Sequence, residues 1–189
     1  MGTRGVFGSQ IHFDWSALSK IADSVFGNLE FDGANFWDGL TGFSWLGEPL
    51  RLSIEGTLER PPGDLERAVF QKFLELHTGI EKPVERAIFG YYNEVRPIYR
   101  DAMGDYADQL APVLSTSSLI WPLLSYPSLC IPEQSETWSF EYHFESEWDV
   151  EHGLSVIVRD GPMFGVDMQV GPGWEHIVHY NAAGERIDG

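Results

Sequence analysis

The chain has 189 residues, 43% hydrophobic and 22% charged, which is ample for one domain with a sizeable core and excludes a disordered chain. Its 12 Lys and Arg against 29 Asp and Glu leave a net charge of −17. That balance excludes nucleic acid and anionic membrane surfaces as partners, because phosphate contact needs Lys and Arg; it suits a basic partner, or simply a well-solvated surface.

Residues 1–24 read as an N-terminal arm carrying a short helix, and 25–189 as a single α+β domain. Asp14 is placed to cap a helix over Trp15–Ser24, with Leu18, Ile21, Ala22 and Val25 at helical spacing. Val25–Phe31 then reads as a first strand, and two more follow, separated by Gly47-Glu48-Pro49. The second of them alternates clearly through Leu50, Leu52 and Ile54.

Asp64 opens a helix that Gly79 is expected to end near His77. Pro83 suits the first turn of a second helix, in which Val84, Ala87, Ile88, Tyr91, Tyr92 and Val95 form one stripe. Pro97 is expected to end or kink it. A third, weaker helix over 100–111 would turn Ala102, Tyr106 and Leu110 inward. The apolar residues of Leu119–Leu124 need burial in this domain or in a partner.

Thr137–Glu145 alternates strictly, with Trp138, Phe140, Tyr142 and Phe144 on one face and Ser139, Glu141, His143 and Glu145 on the other. Gly153 marks the expected turn, and Leu154–Val158 the returning strand. Two further strands are expected in Met163–Val170 and Trp174–Tyr180. Strands, then two to three central helices, then strands again predict an α+β fold: a mainly antiparallel sheet with the helices packed on one face.

Charge is segregated along the chain. No Lys or Arg lies between Arg100 and Arg159, an interval that holds ten acids. The strip of Glu141, His143 and Glu145, continued by Glu147, Asp149 and Glu151, is therefore a candidate surface for a basic protein partner. An ordinary solvated sheet face accounts for the same residues. Trp148 and Trp174 serve equally as interface anchors or as core.

Catalytic motifs are sparse. Asp149, Glu151 and His152 sit close together, and a carboxylate beside an imidazole is the raw material of general base catalysis. No nucleophile or oxyanion donor pairs with them, and a structural turn explains them as well. Glu141 and Glu145 lie roughly 13 Å apart by strand rise, too far to share one bond. Gly42-Phe43-Ser44-Trp45-Leu46 lacks the second Gly of a nucleophile elbow. His176 and His179, with His152, form at most a weak metal pattern, and no cofactor is expected. Cys130, the single cysteine, implies no disulfide and reads as a buried thiol.

Met1–Trp15 has no long apolar core or cleavage site, and no run approaches the ~20 apolar residues of a membrane span, so a cytoplasmic protein is expected.

Val25–Phe31, Trp37, Leu50–Ile54, the helix around Ala87–Val95 and above all Trp148-Asp149-Val150-Glu151-His152-Gly153-Leu154 together resemble a bacterial family of single α+β domains of unknown function, over roughly residues 25–167. Similar domains occur among immunity-type proteins that accompany antibacterial toxins. The resemblance implies no catalytic residue. It implies a role: neutralising a cognate toxin by direct binding, with a basic toxin domain as the partner. The alternatives are an acid–base or metal-dependent enzyme using Asp149, Glu151 and His152, and a structural domain that homo-oligomerises through Leu119–Pro127.

Overall fold

A computed structural model describes residues 19–133, 138–160, 167–172, 178–181, 183 and 185–187. The fold is α+β. Among the described residues nine strands lie in one sheet in chain order: β1 (Lys20–Asp23), β2 (Gly27–Phe31), β3 (Phe36–Trp45), β4 (Glu48–Glu55), β5 (Leu124–Ile131), β6 (Ser139–Ser146), β7 (Asp149–Arg159), β8 (Asp167–Gly171) and β9 (Val178–Asn181). Every neighbouring pair is antiparallel except β4 and β5, which run parallel. A parallel pair needs a crossover. Here it is α1 (Asp64–Met103), followed by short turns and α2 (Ala107–Leu110).

The tight connections follow from side chains. Asp23 accepts the N–H groups of Val25 (2.8 Å) and Phe26 (3.1 Å), which folds the β1–β2 turn. Arg67 of α1 grips the same carboxylate at 2.7 and 3.1 Å, tying that turn to the helix. Between β3 and β4, Leu46 and Gly47 both have positive φ (55° and 80°), the requirement of a two-residue hairpin turn whose twist matches the strands.

α1 packs on one face of the sheet, against β5, β6, β8 and β9. The core is the shared apolar side: Leu50, Leu52 and Ile54 from β4, Phe140, Tyr142 and Phe144 from β6, Val156 and Val158 from β7, against Phe73, Val84, Ile88 and Tyr92 of the helix. At Gly90 the helix comes so near β9 that a Cβ would lie 2.7 Å from the Tyr180 ring. The buried carboxylate of Glu85 fastens the 3₁₀ turn at Ser117–Leu123, accepting from Ser117 Oγ (2.7 Å), Trp121 Nε1 (2.8 Å) and Lys82 Nζ (2.8 Å).

Several expectations are corrected. Lys20–Asp23 is a strand, not the end of a helix; residues 15–18 lie outside those described. Its pairing with β2 and the Asp23 turn outweigh the helical spacing, and Ile21 and Val25 pack against the core from the strand and its turn instead.

Helices one and two are a single helix of 40 residues, continuous through Gly79, Pro83 and Pro97. Each proline forfeits one backbone bond. The buried stripe from Val69 through Phe73, Ile80, Val84 and Ile88 to Tyr92 runs unbroken across the first two sites, and its burial keeps the helix whole.

Ala102, Tyr106 and Leu110 face outward, because the chain tightens into a 3₁₀ turn at Gly104–Tyr106 and buries Ala107 and Ala111 instead. The turn after β6 falls at Glu147–Trp148, not at Gly153, which lies inside β7 with φ +67°. Leu119–Leu124 supplies Ile120 and Leu124 to this domain's own core. No helix among the described residues is long and apolar enough to cross a membrane.

Candidate functional site

The face of the sheet opposite α1 carries a continuous cross-strand row. Lys20, Glu30, Asp38, Ser53, Cys130, Glu141, Ile157, Gln169 and His179 stand opposite one another from β1 to β9. Among the described residues no helix covers this face. Its polar groups pair locally: Lys20 with Glu30 (3.1 Å), Ser53 Oγ donating to Asp38 (2.6 Å), and His143 Nε2 with Glu141 (2.8 Å). The thiol of Cys130 is buried in this row. Burial first, then the negative charges of Glu141, Glu55 and Asp38, pushes its pKa up to about 12, which keeps it protonated and inert.

Two irregularities shape the middle of the face. β5 carries one extra residue between Ser125 and Ser128, opposite β6. Tyr126 occupies that bulge with φ 51°, and its side chain stands 56% exposed. On the other side of β6, the register jumps from Phe144↔Leu154 to Ser146↔Asp149, so Val150–Gly153 bulge out of β7. Gly153 is required there: its φ is +67°, and a Cβ would lie 2.6 Å from the Phe144 carbonyl oxygen.

Bulges re-aim side chains. These two raise walls on either side of His143, Phe144 and Glu145, and enclose a groove of ≈ 390 Å³ lined by Arg51, Tyr126, Ser128, His143, Glu145, Val150, Glu151 and His152. A second groove (≈ 230 Å³) shares Ser128 and His143 and adds Asp32, Phe36, Asp38 and Cys130. A third (≈ 570 Å³), around Glu30, Asp38 and Leu40, shares Arg51. The three grooves form one connected relief across the uncovered face. Asp32 on its rim accepts the N–H groups of Phe36 (3.0 Å) and Ala34 (2.8 Å), which hold its pKa below the ordinary value.

The nominated strip does not lie together. Glu141, His143 and Glu145 are on the uncovered face, and Glu151 joins His143 and Glu145 in the groove. Glu147 is exposed in the β6–β7 turn. Asp149 points elsewhere: its Oδ2 accepts from Tyr99 of α1 (2.9 Å), and its Oδ1 meets His152 Nδ1 (2.9 Å) and the His152 N–H (3.2 Å). Burial, then Asp149, pushes the Tyr99 phenol above its ordinary value.

The Asp149–His152 pair is thus real, but Glu151 does not join it. Trp148 is core, stacked edge-on against Tyr92 at 5.0 Å. Among the described residues no three His, Cys, Asp or Glu are placed to hold a metal ion; Glu175, His176 and Trp174 lie outside the described residues, and His179 of β9 stands opposite Gln169 of β8.

Arg51, Tyr126, Ser128 and Val150 belong to the groove and escape sequence reasoning. They come from three strands, and only the register brings them together. The one sequence signal is Tyr126-Pro127 inside an otherwise regular strand, since proline within a strand marks an edge or a bulge.

Neither the curated proteins nor the solved structures give a match to this chain. The family described as Domain of unknown function (DUF6985) matches residues 25–173, from just before β2 to just beyond β8. The match covers the helix, the two bulges and the groove, and the chain belongs to the DUF6985 family.

Proposed function

We propose that this is a non-enzymatic, cytoplasmic binding protein that neutralises a cognate antibacterial toxin, a basic protein domain, by docking it on the uncovered face of the sheet. The observation that carries the reading is the relief of that face: three connected grooves bearing Glu30, Asp38, Glu145 and Glu151 where a second layer would otherwise pack. Carboxylates so placed attract a basic surface and speed encounter. They also repel nucleic acid and anionic membranes. Within the original strip, Glu141, His143, Glu145 and Glu151 are partner-facing, whereas Asp149 holds the β6–β7 corner to α1 through Tyr99.

Calorimetry with the co-encoded toxin tests this. Glu145→Lys combined with Glu151→Lys should lower affinity by about tenfold or more, equivalent to at least ~1.4 kcal/mol. Unchanged affinity removes the face from consideration.

The contact between Asp149 and His152 favours a second reading, acid–base catalysis at the end of β7. It needs a substrate hydrolysed or isomerised by the wild-type chain and not by His152→Ala. Elemental analysis of the purified protein tests a metal-dependent form of the same reading.

A further inference from the structure

Arg51 is out of place on an acidic face. It is exposed on β4 and lines two of the three grooves. Its cross-strand neighbours are Leu40 and Ser128, which offer no charge. Among the described residues its guanidinium makes no ion pair and no hydrogen bond. Carboxylates are close by, at Glu145 and Glu151 in the same groove, yet none is paired with it. Arg60, Arg67, Arg96 and Arg186, by contrast, are each paired with an acid. A guanidinium held ready in this way matches the planar, two-point geometry of a carboxylate.

The rest of the groove supplies contacts of another kind. Tyr126 and Val150 (82% exposed) stand on its opposite walls as bare apolar surface. Exposed tyrosine and arginine at the centre of a surface patch are the residue types that carry most of the energy of protein interfaces.

We propose that Arg51 is the specificity-determining contact of the docking face. The groove receives a partner loop in which one Asp or Glu is flanked by Lys or Arg. The acid pairs with Arg51, the flanking bases meet Glu145 and Glu151, and an apolar side chain packs on Tyr126 and Val150. Charge complementarity selects this occupant: a purely basic loop would press a like charge onto Arg51, and a purely acidic one would meet the two glutamates. The inference rests on the docking reading above and deepens it.

A phage-displayed random peptide library selected on the full chain tests it. Enriched peptides should carry an acidic residue among basic ones. Their synthetic versions should bind Arg51→Ala about tenfold or more weakly, and Arg100→Ala, on the exposed side of α1, as well as the parent. Selection on Arg51→Glu should replace the acidic position with Lys or Arg. Enriched peptides that are purely basic, lose affinity with Glu145→Lys/Glu151→Lys and ignore Arg51→Ala would overturn the inference and leave the docking reading standing. Peptides indifferent to both variants, or no enrichment, would overturn both.

Discussion

The two faces of one sheet differ more than any two strands within it. On β6, Phe140, Tyr142 and Phe144 are buried under α1, while the residues between them, Glu141 and His143, reach the other side. β4 repeats the pattern, with Leu50, Leu52 and Ile54 against Arg51 and Ser53. The covered face is dense with rings: Phe73 alone has the rings of Phe43, Phe70, His77, Phe140 and Tyr142 within 6.4 Å, centroid to centroid. The other face, which no helix among the described residues covers, is a set of grooves among charges. Stability therefore belongs to one side, and the docking reading proposed above assigns recognition to the other, although consecutive residues build both.

The strongest way to break that division is in the core. Phe73→Ala should cost about 3–5 kcal/mol, measured by chemical denaturation, because it removes a ring with no exposed surface from the centre of the aromatic cluster. A loss below about 1 kcal/mol would mean that the helix–sheet core is not what holds the fold.

Gly153→Ala comes next, at about 1–3 kcal/mol, since it forces a side chain into a left-handed conformation and against the Phe144 carbonyl. Gly153 is where the two faces meet, so this change should also deform the groove wall, and peptide binding should fall with stability.

Acid comes third. The Glu85 carboxylate is opposed by burial but held below its ordinary value of 4.5 by Lys82, Ser117 and Trp121. Asp23 is held below 3.8, chiefly by Arg67. A carboxylate with a lowered folded-state pKa contributes stability above its unfolded value, and that stability is lost as pH falls through the folded value. His77, whose pKa burial lowers from 6.5, adds to the same trend because the unfolded chain protonates first. Denaturation midpoints should fall below about pH 6.5 and more steeply below about pH 4.5, and Glu85→Gln should flatten the lower limb.

The smallest effect sharpens the comparison most. Glu145→Lys with Glu151→Lys should leave stability within about 0.5 kcal/mol, in a calorimetric melt, as exposed substitutions do.

Much of the covered face was legible in advance. The period of two in Trp138–Phe144 and in Leu50–Ile54 identified both core strands and the side that faces inward, because burial imposes that period directly. Local punctuation misled. Gly79 and Pro83 read as a helix end and a helix start, but the buried stripe on either side outweighs one missing hydrogen bond. Lys20–Asp23 has helical spacing and pairs as an edge strand, which only the Asp23 turn and β2 decide.

The site was half legible. Glu141, His143, Glu145 and Glu151 follow from alternation and charge. Arg51 and Tyr126 do not, since they are 75 residues apart in number and meet through the parallel pairing of β4 with β5 and a one-residue bulge. Sequence proximity places Asp149 in the strip, but the bulge after it turns its carboxylate to Tyr99 instead.

Carboxyl footprinting of the protein, free and bound to the toxin partner that the docking reading proposes, tests the central claim most directly. Glu30, Asp38, Glu145 and Glu151 should lose reactivity on binding, while Glu75 and Glu81, exposed on the outer side of α1, keep theirs. Protection of Glu75 and Glu81 with unchanged labelling of Glu145 and Glu151 would contradict the account.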